Sequence, residues 1–172
     1  AFRPSLTGIV RVARARVPAD HWSVPIEVGV PFLEWFGTWR GGDAGQTDVR
    51  SLSTNNSDGY LRWRYGSTLL PYRAIQVDDG AVVIRARRRG PATELIVAAT
   101  LGVSDDSADR ATARAARAIG ADYALRLGRS AYRRGFIPLP GGGPALTWRA
   151  VDNPGSPPLS NWAVSLGDME LF

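Results

Sequence analysis

The chain carries few side chains of the types that enzymes use for acid–base or nucleophilic chemistry. His21 is its only histidine, and it contains no cysteine. A two-histidine acid–base pair, a cysteine nucleophile and a thiolate zinc site are therefore excluded. A serine–histidine–aspartate arrangement would have to use His21, which directly precedes an apolar segment with no nucleophile-elbow motif beside it. The sequence predicts no catalytic residue, no metal site and no cofactor.

Carboxylate chemistry stays open as a third alternative. The glutamates are Glu27, Glu34, Glu94 and Glu170, and each stands in or next to a segment with strand character. A glycoside hydrolase needs two carboxyl groups that face one cleft, which a single sequence does not show. The simpler interpretation places the glutamates on solvent faces. A hydrolase of this kind predicts loss of activity in Glu27→Gln or Glu34→Gln.

Arginine supplies every basic side chain of the 172-residue chain. Lysine is absent, and 21 arginines against 16 acidic residues give a formal net charge of +5. Guanidinium groups suit carboxylates and phosphates, and the densest cluster is "IRARRRG", residues 84–90. Six arginines are predicted to face outward and to contact nucleic acid or a neighbouring subunit: Arg62, Arg64, Arg85, Arg87, Arg88 and Arg89.

The six tryptophans offer a different kind of contact. Exposed indole rings stack on sugars, and Trp22, Trp35 and Trp39 are the candidates for such a ligand platform. Packing in the core is the simpler interpretation for any one of them.

The elements that must position these residues are mainly strands. Residues 72–88, "YRAIQVDDGAVVIRARR", predict a β-hairpin with Asp79-Gly80 as a two-residue turn. That turn places Val77 opposite Val82 and Ile75 opposite Ile84 on one apolar face. Alternating or continuous apolar patterns predict further strands at 7–17, 22–30, 61–65, 93–101, 123–127, 146–151 and 162–171.

One helix interrupts the strand pattern. Ser104 is a predicted N-cap, Asp105 and Asp106 suit the first turn, and Gly120 ends the helix. Alanines at helical spacing give a narrow apolar face, and Arg110, Arg114 and Arg117 form a stripe on another side. We expect this helix, near 106–119, to lie on the surface of a sheet.

Together these patterns predict a single all-β domain over residues 1–172. The apolar content of 44% suits a packed core, and no apolar run is long enough to span a membrane. Many strands and one surface helix favour a two-sheet β-sandwich of jelly-roll type.

The closing segment "SNWAVSLGDMELF" has an interrupted alternation. Trp162, Val164 and Leu166 share one parity, and Met169 and Leu171 share the other. A β-bulge at Gly167 would let both sets face the core.

Residues 141–172, "GGGPALTWRAVDNPGSPPLSNWAVSLGDMELF", resemble the last two strands of picorna-like jelly-roll capsid proteins. Val164, Ser165, Gly167, Asp168 and Glu170 occupy the places of that family's V-S-x-G-D stretch and the acidic residue after it. The resemblance implies a structural subunit of an icosahedral virion, without chemistry of its own, that packs with copies or sister subunits around nucleic acid. A start at Ala1 would then reflect cleavage from a precursor.

The predicted function is therefore structural assembly rather than enzymatic catalysis. The alternative is an extracytoplasmic module that binds a carbohydrate or another ligand, and the third is the carboxylate-dependent hydrolase.

Overall fold

The structure, a computed structural model, describes residues 2–4, 21–39, 52–127, 136, 158 and 161–169. Its strands are β1 (Phe2–Pro4), β2 (His21–Val24), β3 (Val30–Pro31), β4 (Leu52–Ser53), β5 (Arg73–Val77), β6 (Gly80–Arg89), β7 (Ala92–Leu101), β8 (Tyr123–Leu125) and β9 (Trp162–Ala163). Its helices are α1 (Phe32–Thr38), α2 (Asp58–Tyr65), α3 (Asp105–Ala118) and α4 (Leu166–Met169). The predicted elements at 7–17 and 146–151 lie outside the described residues.

Seven of the strands form one mixed sheet in the order β1-β8-β7-β6-β5-β3, with β2 also pairing with β6. All neighbours are antiparallel except β7 and β8, which are parallel and joined through α3. A crossover helix is the usual connection between parallel strands. β4 and β9 form a separate, two-stranded parallel pair.

The hairpin prediction is confirmed, but its turn lies one residue earlier than expected. Asp78 and Asp79 form the turn, with Asp78 at a φ of 51°, and Val77 pairs with Gly80. Gly80 is instead the first residue of β6, where a Cβ atom would collide with the carbonyl oxygen of Leu101. The glycine thus serves strand packing rather than the turn. The register shifts by two residues, so the predicted apolar face keeps its parity.

That apolar face packs against α3. The helix predicted near 106–119 is confirmed, with bounds Asp105–Ala118. The Ser104 hydroxyl accepts a hydrogen bond from the backbone N–H of Ser107 at 3.3 Å, as an N-cap does. Ala108, Ala111 and Ala115 pack on a core cluster of the sheet that contains Val82, Ile84, Leu95 and Val97. The arginine stripe of α3 (Arg110, Arg114 and Arg117) is exposed, as predicted.

The opposite face of the sheet is covered by α1 and α2. Phe32, Trp35, Phe36, Leu61 and Tyr65 pack there against Tyr72, Ala74, Val83 and Ala99. The prediction of a strand at 61–65 is wrong, because Leu61 and Tyr65 are four residues apart on the buried side of a helix. The Ser57 hydroxyl caps that helix by accepting from the N–H of Tyr60 at 3.3 Å.

Two other strand predictions need correction. The segment 22–30 is not one strand: β2 ends before Pro25, and β3 pairs with a different partner, β5. In the described part of the closing segment, residues 161–169, Trp162–Ala163 is a strand and Leu166–Met169 is a short helix. A bulged strand through Gly167 is therefore wrong. Residues 93–101 and 123–125 are strands as expected.

The fold is thus largely β, as predicted, although helices cover both faces of the main sheet in the described residues. A two-sheet sandwich or jelly roll is not confirmed. No helix among the described residues is long and apolar enough to cross a membrane.

Candidate functional site

A cleft of about 610 Å³ opens where the two parallel strands separate. β7 and β8 pair from Glu94–Tyr123 to Ile96–Leu125 and no further. On the other edge of β7, Ile84 pairs with Val97 and Val83 pairs with Ala99, so Ala98 is an extra residue. Such a bulge bends a strand and increases its twist, which suits the separation of β7 from β8.

The lining of the cleft comes from four parts of the fold. The residues are Ser53, Thr54, Asn55 and Asn56 before α2, Val97 to Thr100 of β7, Asp105, Arg126 and Leu127 around the start of α3, and Ala163 to Leu166 with Asp168 at the closing segment. The cleft therefore lies beside the second half of β7 and beyond the carboxyl end of β8.

One wall of the cleft is a turn formed by "SLGD", residues 165–168. The Ser165 hydroxyl accepts from the N–H of Asp168 at 3.3 Å, and Asp168 Oδ2 accepts from the N–H of Ser165 at 2.7 Å. This reciprocal pair is a capping box, and it starts α4. The pattern S-x-x-D was visible in the sequence and is the signal that the strand interpretation overlooked.

Asp168 is also tied to the second helix. The Tyr60 hydroxyl donates a hydrogen bond to Asp168 Oδ1 at 3.0 Å, and the Ser165 hydroxyl donates to Asp168 Oδ2 at 2.7 Å. Burial acts to raise the pKa of Asp168, but hydrogen bonds from Thr54, Ser165 and Tyr60 outweigh it and hold that pKa below its ordinary value. Asp168 is therefore an ionised structural anchor in the wall.

The tyrosines beside this anchor are held neutral. Burial, the nearby Asp168 charge and the hydrogen bond to it raise the pKa of Tyr60 to about 12. Burial first, and then the neighbouring Tyr60 and Asp168, raise the pKa of Tyr65 as well. Both hydroxyls therefore keep their protons at neutral pH.

The backbone of the same turn is fixed by a buried arginine and by close packing. Arg64 Nε donates to the carbonyl oxygen of Gly167 at 2.6 Å. A Cβ atom at Gly167 would collide with the Tyr65 hydroxyl and lie 3.0 Å from the Ala98 carbonyl oxygen. The wall is thus pressed against the bulge of β7.

The opposite wall carries an ion-pair cluster. Arg126 follows β8, and its guanidinium pairs with the carboxylates of Asp105 and Asp109 at the start of α3. Arg126 and Asp109 are buried, whereas Asp105 is exposed. The N-terminal end of α3, where the helix dipole is positive, therefore already has carboxylates of the helix itself beside it.

The six predicted arginines do not form one outward strip. Arg64 and Arg85 are buried, and their guanidinium carbons lie 5.8 and 5.6 Å from the centre of the Tyr72 ring. Arg87 and Arg89 turn towards the buried Glu94. Arg62 is exposed over Phe36, and Arg88 is exposed on β6. Of the six, Arg62 and Arg88 are the exposed ones, while Arg64 and Arg85 are buried and Arg87 and Arg89 are half-buried.

Of the three tryptophans of the predicted platform, Trp35 and Trp39 pack against each other. Trp35 is 4% exposed and stacks on Trp39 with ring centres 5.1 Å apart. Trp39 Nε1 donates to the carbonyl oxygen of Asp79 at 3.0 Å. For Trp22, the described part is its backbone in β2. Among the described tryptophans whose burial is known, Trp63 is the exposed one, with 69% of its surface accessible. The sequence had placed it in the middle of the predicted strand 61–65.

The three glutamates that the structure describes do not line the cleft. Glu27 and Glu34 are exposed, and Glu94 is buried under Arg87 and the Tyr123 hydroxyl, which donates to it at 2.6 Å. Glu170 lies outside the described residues. No group of three or more metal-ligating side chains occurs in the described part of the chain.

No protein-family model, curated protein or solved structure matches this chain.

Proposed function

We propose that this chain is a ligand-binding domain whose cleft between β7 and β8 holds a small polar ligand. The observation that carries the proposal is the cleft itself, about 610 Å³ at the separation of two parallel strands. Its volume lies in the range of small-molecule sites, roughly 300–1,000 Å³. Ligand binding was the alternative function predicted from the sequence.

The lining supports a polar ligand of extended shape. On one side, the Val97–Thr100 stretch of β7 borders the cleft, and no described strand pairs with this edge beyond Ile96. A strand edge offers backbone donors and acceptors to an extended partner. On the other side, Ser53, Thr54, Asn55 and Asn56 supply hydroxyl and amide groups. We assign no catalytic step to these residues.

Filling the cleft tests the proposal. Ala163 is exposed and lines the cleft, so Ala163→Trp introduces a bulky ring there without disturbing the core. Ala118→Trp, at an exposed position of α3, is the matched control. We expect a panel of sugars, amides and nucleotides, titrated by calorimetry, to contain a ligand that binds the natural protein and Ala118→Trp equally. Its affinity for Ala163→Trp is expected to fall at least tenfold.

Two results would contradict the proposal. One is a panel without any binder at millimolar concentration. The other is a ligand that binds Ala163→Trp as tightly as the natural protein.

Structural assembly is a second proposal for the function of this chain. It includes the sandwich architecture, the packing with sister subunits and the virion location implied by the capsid resemblance. The bulged closing strand that supported it is absent, because Leu166–Met169 is helical. Sedimentation velocity over a hundredfold concentration range tests it: larger assemblies would support the role, and a strict monomer would count against it.

A further inference from the structure

We infer that the ligand of this cleft is a peptide in extended conformation with a basic side chain, and that its backbone pairs with the edge of β7 at Val97–Thr100. The inference rests on the proposed function and adds the class of ligand and the groups that hold it. It follows from the direction of the β7 backbone, from the end of the β8 pairing at Ile96 and from the charges of the lining.

The backbone of Val97 points away from β6. The Thr93 carbonyl oxygen accepts a hydrogen bond from the N–H of Asp122 at 2.9 Å, so Thr93 points towards the β8 side of the sheet. Backbone groups alternate between the two sides of a strand, and Val97 is four residues further along β7. The Val97 carbonyl oxygen therefore points to the side on which the cleft opens.

The backbone of Thr100 points to the same side. The carbonyl oxygen of Leu101 points towards β6, because a Cβ atom at Gly80 would collide with it, so the preceding residue points the other way. Val97 and Thr100 are three residues apart yet share a direction, which requires the one extra residue that Ala98 provides. The bulge thus aims the backbone groups of both residues at the cleft.

These backbone groups have no partner strand among the described residues. The pairing of β8 with β7 stops at Ile96–Leu125. In the part of the chain that the structure describes, no hydrogen bond reaches the Val97 carbonyl oxygen, or the backbone N–H and carbonyl of Thr100, on the cleft side. An unpaired strand edge is a template for another extended chain.

The cleft has the position of a missing strand. Its lining includes Val97–Thr100 and also Arg126 and Leu127, which follow β8, so it occupies the place in the sheet that β8 leaves. Three residue steps from Val97 to Thr100 span about 10 Å, which a peptide of four or five residues covers. The main chain of a peptide presents donors and acceptors with the same spacing as β7 itself, a match that a sugar or a nucleotide does not offer.

The charges around the cleft favour a basic side chain on the peptide. Among the described lining residues, Asp105 and Asp168 are carboxylates and Arg126 is the one cation. Arg126 also pairs with the buried carboxylate of Asp109, so carboxylates outnumber guanidinium groups here. The Asp105 side chain is 56% exposed, so an arginine or lysine of the ligand can contact it. An acidic peptide would be repelled.

Pools of blocked pentapeptides test the inference. Their central residue is arginine, glutamine or glutamate, and the flanking positions vary among valine, threonine and alanine; the peptides retained by the immobilised protein are then measured by calorimetry. We expect the tightest peptide to have a central arginine and to bind about threefold more tightly than its glutamine analogue, the size of one partly exposed ion pair. Asp105→Asn should remove this preference. Glu34→Gln, at an exposed position of α1, is the control that keeps it.

N-methylation of the tightest peptide tests the strand pairing. Removing one backbone N–H at a time is expected to weaken binding at least tenfold at every second position and little at the positions between, because only alternate N–H groups face β7. Ala163→Trp should weaken the unmethylated peptide at least tenfold, and Ala118→Trp should not. Equal losses at all positions, or no loss at any, would overturn the pairing with β7.

The outcomes separate this inference from the proposed function. A sugar, simple amide or nucleotide that is sensitive to Ala163→Trp, with no peptide bound, overturns the peptide class and leaves the cleft proposal standing. A peptide that binds without preference for arginine overturns the basic side chain alone. If no ligand of either panel is sensitive to Ala163→Trp, both fail.

Discussion

The hydroxyl of Tyr60 donates a hydrogen bond to Oδ1 of Asp168 at 3.0 Å, across 108 positions of the chain. This contact joins the second helix to the closing segment. The same turn also contacts Arg64, Tyr65 and Ala98 of β7. Together these contacts fix one wall of the cleft relative to β7. The shape of the proposed site therefore depends on Tyr60, Arg64 and Tyr65, which support the lining residue Asp168 and its turn.

The Tyr60–Asp168 bond predicts a measurable coupling energy. Tyr60→Phe removes the hydroxyl and is expected to lower the free energy of unfolding by about 1.5–3 kcal/mol, the range for a hydrogen bond to a charged group. Urea unfolding of Tyr60→Phe, Asp168→Asn and the double variant gives the pairwise energy. We expect the two losses to be less than additive. Additive losses would mean that the bond contributes nothing.

The lowered pKa of Asp168 predicts a dependence of stability on acid. Its pKa in the folded chain lies below the ordinary 3.8, so its contribution is present above 3.8 and is lost as the pH falls through the folded value. The difference in unfolding free energy between the natural protein and Asp168→Asn should thus be full at pH 7 and shrink below about pH 4. Asp79→Asn, at an exposed turn position, is the control. A difference that stays constant from pH 7 to pH 2 would contradict the assignment.

Adding a single methyl group at Gly167 is expected to lower the stability of the protein. The methyl of Gly167→Ala would collide with the Tyr65 hydroxyl and crowd the Ala98 carbonyl, which we expect to cost about 1–3 kcal/mol of stability. Gly59→Ala is the matched control, because no atom lies within 4 Å of its Cβ position in α2. Alanine there should be neutral or stabilising by up to about 1 kcal/mol.

The collision at Gly167 can also be relieved. Tyr65→Phe removes the hydroxyl that the new methyl meets, so the double variant should recover part of the stability lost in Gly167→Ala. A double variant that loses as much stability as the sum of the two single changes, or more, would show that the turn does not pack on Tyr65. Thermal and urea unfolding of the four proteins decide between these results.

The contacts of the buried Glu94 carboxylate indicate a structural rather than a catalytic role. This carboxylate pairs with Arg87 and accepts from the Tyr123 hydroxyl at 2.6 Å. Glu94→Gln leaves the guanidinium without its charge partner, and removing one member of a buried pair costs about 3 kcal/mol. Glu34→Gln, on the exposed side of α1, should change the unfolding free energy by less than about 0.5 kcal/mol. Equal effects of the two variants in urea unfolding would refute this role.

Local signals in the sequence were sufficient to predict the elements whose turn, cap and apolar face are close together in the chain. The hairpin at Asp78-Asp79 and the capped helix α3 each carry their own turn, cap and apolar face within about 20 residues. Val82 and Ile84 were assigned to the correct face of the hairpin, but the pairing register was wrong. Gly80 is needed in β6, not in the turn, because a Cβ atom there would collide with the carbonyl oxygen of Leu101, which is distant in sequence. Long-range packing decided what local reasoning could not.

The candidate site was harder to predict because its parts are ambiguous in isolation. Leu61 and Tyr65 fit both an alternating strand and one side of a helix, and the Ser57 cap decides between them. In the same way, the pair Ser165 and Asp168 reads as part of a strand until the capping pattern is recognised. The cleft depends on the point where β8 stops pairing with β7, which no spacing of residue types reveals.

The most direct test of the proposed function is an amide chemical-shift map of the natural protein, titrated with the tightest ligand of the panel. We predict the largest ¹H–¹⁵N shifts at Ala98 to Thr100, at Asn55 and Asn56 and at Ser165, which border the cleft from three sides. Ala163→Trp should abolish these shifts, and Ala118→Trp should keep them. Shifts that concentrate on the exposed face of α3, or that persist in Ala163→Trp, would contradict binding in the cleft.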